Sequence, residues 1–126
     1  MKTQVVLILM LLSVIGLGAC KSKTHNGSSD TSVASIFVEV NGRLYFACNG
    51  SCESHKTIIP VGVRVCKNAV VTSLAPVFTP KDKNATVSPT EPQDFTTPKI
   101  YTVTAEDGTQ RQYEFSVTRD NNISCD

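Results

Sequence analysis

Tryptophan is absent from this sequence, histidine occurs only twice, and neither sign of charge is in excess. Twelve basic and eleven acidic residues become eleven of each once Lys2 is removed with a leader. Nucleic-acid binding is driven by Lys and Arg side chains that neutralise phosphates, so this balance excludes it. With His25 in a polar segment and His55 in a predicted loop, no Ser-His-acid triad can be assembled. We therefore expect neither an enzyme nor a cofactor.

The amino-terminal residues have the organisation of an export signal. A short basic start, Met1 and Lys2, precedes an apolar run from Val5 to Leu17, and the small residues Gly18 and Ala19 follow. The run of about 13 residues is shorter than the ~20 that a helix needs to cross the hydrocarbon core. The pattern predicts a cleaved leader over residues 1–19 rather than a permanent membrane span.

The four residues Leu17-Gly18-Ala19-Cys20 resemble the bacterial lipobox, whose cysteine is lipidated and becomes the mature amino terminus. The resemblance implies a lipoprotein signal peptide at 1–19, acyl chains on Cys20, and a membrane as partner through that lipid. An ordinary cleaved signal with an unrelated cysteine is the alternative. Ser22, rather than Asp, stands two residues after Cys20, which in the lipoprotein sorting rules favours the outer membrane. The face of that membrane on which the protein lies is left open. Residues 20–32 are polar and rich in serine, which predicts a flexible tether.

Residues 33–126 read as strands, because apolar side chains recur at every second position. Ile36, Val38 and Val40 form one such run, and Leu44 and Phe46 form the next. Asn41-Gly42 between them predicts a hairpin with a type I′ turn, since both central residues of that turn need positive φ.

A second hairpin is predicted at the end of the chain, from Ile100–Ala105 and Arg111–Thr118. Tyr101, Val103 and Ala105 share a face of the first strand, and the polar residues between them suit solvent. A hydrophobic content of 40% is sufficient for a packed core. Six to seven short antiparallel strands, each apolar on one face, predict an all-β sandwich.

Three runs carry a family resemblance: Asp94–Pro98, Ile100–Thr109 and Tyr113–Val117. Together with shorter segments upstream, they resemble the carboxy-terminal half of an immunoglobulin-like domain found in Bacteroidetes lipoproteins. The likeness extends from about Val63 to Thr118. It implies an immunoglobulin-like sandwich that serves as a spacer or accessory module in surface and glycan-handling lipoproteins. Cys66 stands where that family usually has a proline, and the region of Cys48 and Cys52 has no counterpart.

Four cysteines remain besides Cys20, and an even number in an exported domain predicts two disulfides. Three pairings are open. We favour Cys66 with Cys125, which closes a long loop worth about 4 kcal/mol in the chain-entropy model, together with the short Cys48–Cys52 loop. A zinc site that combines His55 with Cys48, Cys52 and Cys66, or a redox-active Cys48–Cys52 pair, are the alternatives.

These expectations define a non-catalytic, lipid-anchored, extracytoplasmic module that acts by binding or spacing, with another envelope protein or a glycan as partner. The alternative is an accessory glycan-binding lipoprotein of a polysaccharide-utilisation system. Sugar rings stack on exposed aromatic side chains, so the predicted ligand-binding residues are Tyr45 and His55, in or beside the segment Ala47–Thr57.

Overall fold

The computed structural model describes residues 27–49 and 56–126 and forms an all-β sandwich, as the alternation predicts. A three-stranded sheet has the order β2-β1-β4, and a four-stranded sheet has the order β3-β7-β6-β5. No helix within these residues is long and apolar enough to cross a membrane. The strands are β1 Val33–Val40, β2 Arg43–Asn49, β3 Ile58–Cys66, β4 Val77–Pro80, β5 Thr86–Ser88, β6 Lys99–Thr104 and β7 Gln110–Asp120.

The expectation of purely antiparallel strands is wrong for one pair. β3 runs parallel to β7, from Ile58 opposite Gln112 to Cys66 opposite Asp120. Parallel partners cannot be joined by a tight turn and need a long connection, which here contains β4, β5 and β6. Side-chain alternation is the same in both directions, so it carried no information on this point.

The Asn41-Gly42 hairpin is confirmed. Both residues have positive φ, 53° at Asn41 and 76° at Gly42, as a type I′ turn requires. Val40 lies opposite Arg43 and closes the ladder between β1 and β2.

Aromatic side chains fill the space between the sheets. Phe78 of β4 stacks on Tyr101 with ring centroids 4.8 Å apart, and it contacts Tyr113 and Phe115 at 5.8 and 6.1 Å. Phe95 packs edge to face against Phe115 at 5.4 Å. The predicted inward faces of β6 and β7 are confirmed, since Tyr101, Tyr113 and Phe115 are at most 1% exposed. These contacts join both sheets into one core.

The inward face of β2 is the reverse of the one expected. Tyr45 is 9% exposed, whereas Leu44 and Phe46 are each 49% exposed. Tyr45 lies opposite Val38, which is fully buried, so the two side chains share the inner face. A two-residue turn at Asn41-Gly42 already fixes this register, because it places Val40 opposite Arg43 and therefore Val38 opposite Tyr45.

The folded part begins before residue 33. The Ser28 carbonyl accepts a hydrogen bond from the Asp107 amide at 3.0 Å, and the Ser32 carbonyl accepts one from the Lys81 amide at 3.0 Å. Thr31 is buried, and its carbonyl accepts a 3.1 Å hydrogen bond from the Tyr113 hydroxyl. These residues of the predicted tether are therefore held against the sandwich.

Candidate functional site

The outer surface of the three-stranded sheet carries a row of apolar side chains. Phe37 on β1 lies opposite Phe46 on β2 and opposite Val77 on β4, so the three side chains cross the sheet side by side. The Phe37 and Phe46 rings have centroids 5.5 Å apart and planes inclined by 48°. Leu44 stands two residues from Phe46 on the same side of β2. We call Phe37, Leu44, Phe46 and Val77 the aromatic face.

The aromatic face is open to solvent among the described residues. Phe46 and Leu44 are each 49% exposed, Val77 is 45% exposed and Phe37 is half-buried. Single exposed apolar side chains are ordinary on protein surfaces, whereas a contiguous exposed apolar group is a candidate for an interaction site. These four side chains are contiguous because the register of β2, β1 and β4 aligns them.

Polar side chains border the row on both sides. Towards the β1–β2 turn, Glu39 lies opposite Leu44 on the same surface and is exposed. In the other direction Ser35 lies opposite Thr79. The Glu39 carboxylate can accept hydrogen bonds beside the rings, and the Ser35 and Thr79 hydroxyls can donate or accept them. The arrangement is therefore an apolar surface with hydrogen-bonding groups at its margins. It suits a ligand that has both apolar faces and polar edges.

The opposite surface of the sandwich is different. Apart from two separated isoleucines, Ile58 and Ile100, the outward positions of the four-stranded sheet are mainly polar. They include Thr86, Ser88, Thr102, Thr104, Gln112, Glu114, Ser116 and Thr118. This surface is what the alternation predicts for a sheet that faces water. Only the three-stranded sheet departs from it.

Strand direction assigns the loops to two ends of the sandwich. The end where the chain enters, at Gly27 and Ser28, also holds the β6–β7 turn and the end of β2 at Asn49. The far end holds the β1–β2 turn and the carboxy terminus. There, the Arg43 guanidinium donates hydrogen bonds to the carbonyls of Ser124 and Asp126 at 3.2 and 3.3 Å. The aromatic face lies along the side, between the two ends.

The structure does not support Tyr45 as a ligand-binding residue. Its ring belongs to the core, and its hydroxyl has no hydrogen-bond partner among the described residues. The exposed aromatic of β2 is its neighbour Phe46. Three further predicted site residues lie outside the described residues: Cys20, Cys52 and His55.

The predicted Cys66–Cys125 disulfide is confirmed, with Cα atoms 5.0 Å apart. The bond removes Cys66 as a thiolate ligand. The alternative zinc site, which needed Cys66 together with Cys48, Cys52 and His55, is therefore wrong as a set of four ligands. Within residues 27–49 and 56–126 no group of His, Cys, Asp and Glu is arranged to hold a metal ion. Cys48 is also disulfide-bonded. Its pairing with Cys52 stays a prediction, because Cys52 is not among the described residues.

Two exposed carboxylates have lowered pKa values for local reasons. The pKa of Asp30 falls because the Ser32 side chain and amide donate hydrogen bonds to its carboxylate. The pKa of Asp94 falls because of hydrogen bonds from Thr96, whose amide nitrogen lies 2.9 Å from the carboxylate. Both interactions join residues two apart, the pattern of an Asx turn. They organise loops and supply no acid or base.

These features define the class of protein as a disulfide-linked β-sandwich with one polar and one apolar outer surface. The chain belongs to the family "SGBP, N-terminal", whose profile matches residues 49–117, and this is a cell-envelope family of Bacteroidetes. The match includes Cys52, although the sequence pattern alone offered no counterpart for that region.

Two solved structures resemble the chain. A candidate glycoside hydrolase from Bacteroides thetaiotaomicron shares 25% identity with a TM-score of 0.54, over 78% of this chain and 27% of that one. This chain thus spans about a quarter of the length of that protein. A candidate secreted protein from Bacteroides fragilis shares 13% identity with a TM-score of 0.49, over 74% and 98% of the two chains. No curated protein matches the chain.

Proposed function

We propose that this protein is a non-catalytic, lipid-anchored module of the Bacteroidetes cell envelope that binds glycan. Membership of the SGBP amino-terminal family over residues 49–117 carries the proposal, since SGBP denotes a surface glycan-binding type of protein. The Phe37–Phe46 pair on the outer surface supports it, because aromatic rings provide surfaces for sugar rings. The immunoglobulin-like class of sandwich implied by the resemblance is part of the same proposal.

Lipid anchoring rests on the Leu17–Cys20 quartet. The Cys66–Cys125 bond supports export, since disulfides persist in oxidising compartments. The outer membrane is the proposed site, and Cys20 is the acylated residue. Replacing Cys20 by Ala in the native host should release the protein from the membrane fraction. Mass spectrometry of the wild-type amino terminus should find acyl chains on Cys20, and an unmodified terminus there would contradict the proposal.

Glycan binding is tested with the mature chain in native affinity gels that contain a single polysaccharide each. Xyloglucan, galactomannan, dextran and starch serve as neutral probes, and polygalacturonate and alginate serve as acidic probes. We expect retarded migration in at least one gel, compared with an unrelated protein of similar size and charge. A chain that migrates freely in every gel would instead favour the spacer or protein-binding function.

The spacer is the second candidate, and one observation favours it. The likeness to the Bacteroides thetaiotaomicron protein covers 78% of this chain and only 27% of that protein. A sandwich of this kind thus occurs as one part of a longer polypeptide, where it can separate other domains. A spacer needs no exposed aromatic row, so the polysaccharide gels distinguish the two functions.

A further inference from the structure

We infer that the aromatic face is the glycan site and that it takes a neutral rather than an acidic polysaccharide. This inference rests on the proposed function and adds the location and the ligand class. The previously expected site, Tyr45 and the segment Ala47–Thr57, does not include any of the four side chains involved.

The geometry of the row fits a chain of sugar rings. Phe46, Phe37 and Val77 stand on adjacent strands, which are about 4.8 Å apart in a sheet, so the row extends across roughly 10 Å. A pyranose has apolar C–H faces and a rim of hydroxyls. Its faces suit the Phe37 and Phe46 rings, while Glu39, Ser35 and Thr79 lie where rim hydroxyls need partners.

The charge on this surface selects a neutral ligand. Glu39 is the charged residue at the outward strand positions of the three-stranded sheet among the described residues, and Arg43 is turned towards the carboxy-terminal tail. Within the described part of the chain no Lys or Arg occupies these outward strand positions, and the Glu39 carboxylate repels a uronate or a sulfate. A neutral sugar hydroxyl can donate a hydrogen bond to the same carboxylate.

The position of the aromatic face in the sandwich also suits the binding of a long polysaccharide. The chain enters at one end of the sandwich, where Gly27 and Ser28 are held against the β6–β7 turn. The described chain therefore begins at an end of the sandwich and not on one of its sides. The aromatic face is on a side, so a polysaccharide can lie across it without passing between the protein and the lipid.

The absence of tryptophan makes a direct test possible. Phe46→Trp introduces the only tryptophan of the chain, directly on the proposed site. We expect its emission to shift to the blue and to saturate as the neutral probe bound in the gels is added, because a stacked sugar excludes water from the indole. Ile100→Trp is the control, since Ile100 is 40% exposed on the opposite sheet. Its emission should not change.

Loss of the ring provides the second test. Phe46→Ala should lower the affinity for that neutral polysaccharide at least about tenfold, while Ile100→Ala leaves it unchanged. Unchanged urea midpoints would show that both variants remain folded. Glu39→Lys should allow polygalacturonate to bind, because it replaces the repelling charge with a cation.

The outcomes separate the two proposals. If the wild type binds a polysaccharide and Phe46→Ala binds it equally well, the location is wrong while glycan binding stands. Tighter binding of polygalacturonate than of any neutral probe by the wild type would overturn the ligand class. If size-exclusion chromatography shows a dimeric wild type and a monomeric Phe46→Ala variant with intact glycan affinity, the location is wrong and the face is an interface with a second copy. Failure of the wild type to bind any probe overturns both proposals.

Discussion

Removing the Cys66–Cys125 disulfide should destabilise the protein strongly. The two cysteines are 59 positions apart, and closing a loop of this length restricts the unfolded chain by about 4 kcal/mol in the chain-entropy model. Domains of this size are commonly stable by only about 5–15 kcal/mol. We expect Cys66→Ala/Cys125→Ala to lower the free energy of unfolding by about 4 kcal/mol in urea, followed by circular dichroism. The m-value should rise, because the unlinked chain exposes more surface on unfolding.

A single substitution provides the control. Cys125→Ser also breaks the bond but leaves Cys66, which is fully buried, in place. It should therefore produce nearly the same loss as the double variant, and any difference between them measures packing at Cys66. Hydrogen exchange should accelerate at the Lys67 amide, which donates to the Ile123 carbonyl at 3.0 Å. A loss below about 1 kcal/mol in both variants, with an unchanged m-value, would refute the chain-entropy reasoning.

Three further predictions concern the core and one turn. Burial, with a smaller effect from Glu91, raises the pKa of Tyr101 to about 12. The contribution of this group to the free energy of unfolding should therefore be fully present below pH 10 and be lost as the pH rises through 12, because Tyr101 loses its proton first in the unfolded state. Tyr101→Phe should reduce this alkaline loss without lowering stability at pH 7, since the hydroxyl has no partner among the described residues; an unchanged pH profile would contradict the assignment. Phe78→Ala should cost about 3–5 kcal/mol in urea unfolding, because it removes a ring that contacts three others, whereas a loss under about 1 kcal/mol would mean that this cluster contributes little. Gly42→Ala should cost about 1 kcal/mol through its φ of 76° alone, since an added Cβ meets no atom within 4 Å; Gly42→Asn, which tolerates this conformation better, should cost less in the same assay.

Much of the sheet structure follows from local patterns. Alternation located the two hairpins and the inward faces of β6 and β7, and Asn41-Gly42 identified the type I′ turn. The inward face of β2 was also within reach, because the two-residue turn places Tyr45 opposite Val38. Leu44 and Phe46 are the more hydrophobic residues of β2, but the register set by the turn places them on the outer surface.

The candidate site was harder to predict from the sequence than the strands. The prediction relied on an exposed aromatic side chain and named Tyr45, which is buried, whereas its neighbour Phe46 is exposed. The contribution of Phe37 and Val77 depends on the pairing of β1 with β4, which are separated by more than thirty residues. Pairing at this distance leaves no periodic trace in either strand, so the aromatic face could not be assembled from the sequence.

The amino-acid sequence by itself determined that the chain would form strands, where two of its turns would lie, and which side chains of the last hairpin would be buried. These properties depend on neighbouring residues, whose alternation and turn geometry are local. Only the tertiary structure decided that β3 runs parallel to β7, that Cys66–Cys125 is realised among the three open cysteine pairings, and that Phe37, Phe46 and Val77 form one row on an outer surface. Each of these depends on which distant segments meet, and that choice is made by the packing of the whole core.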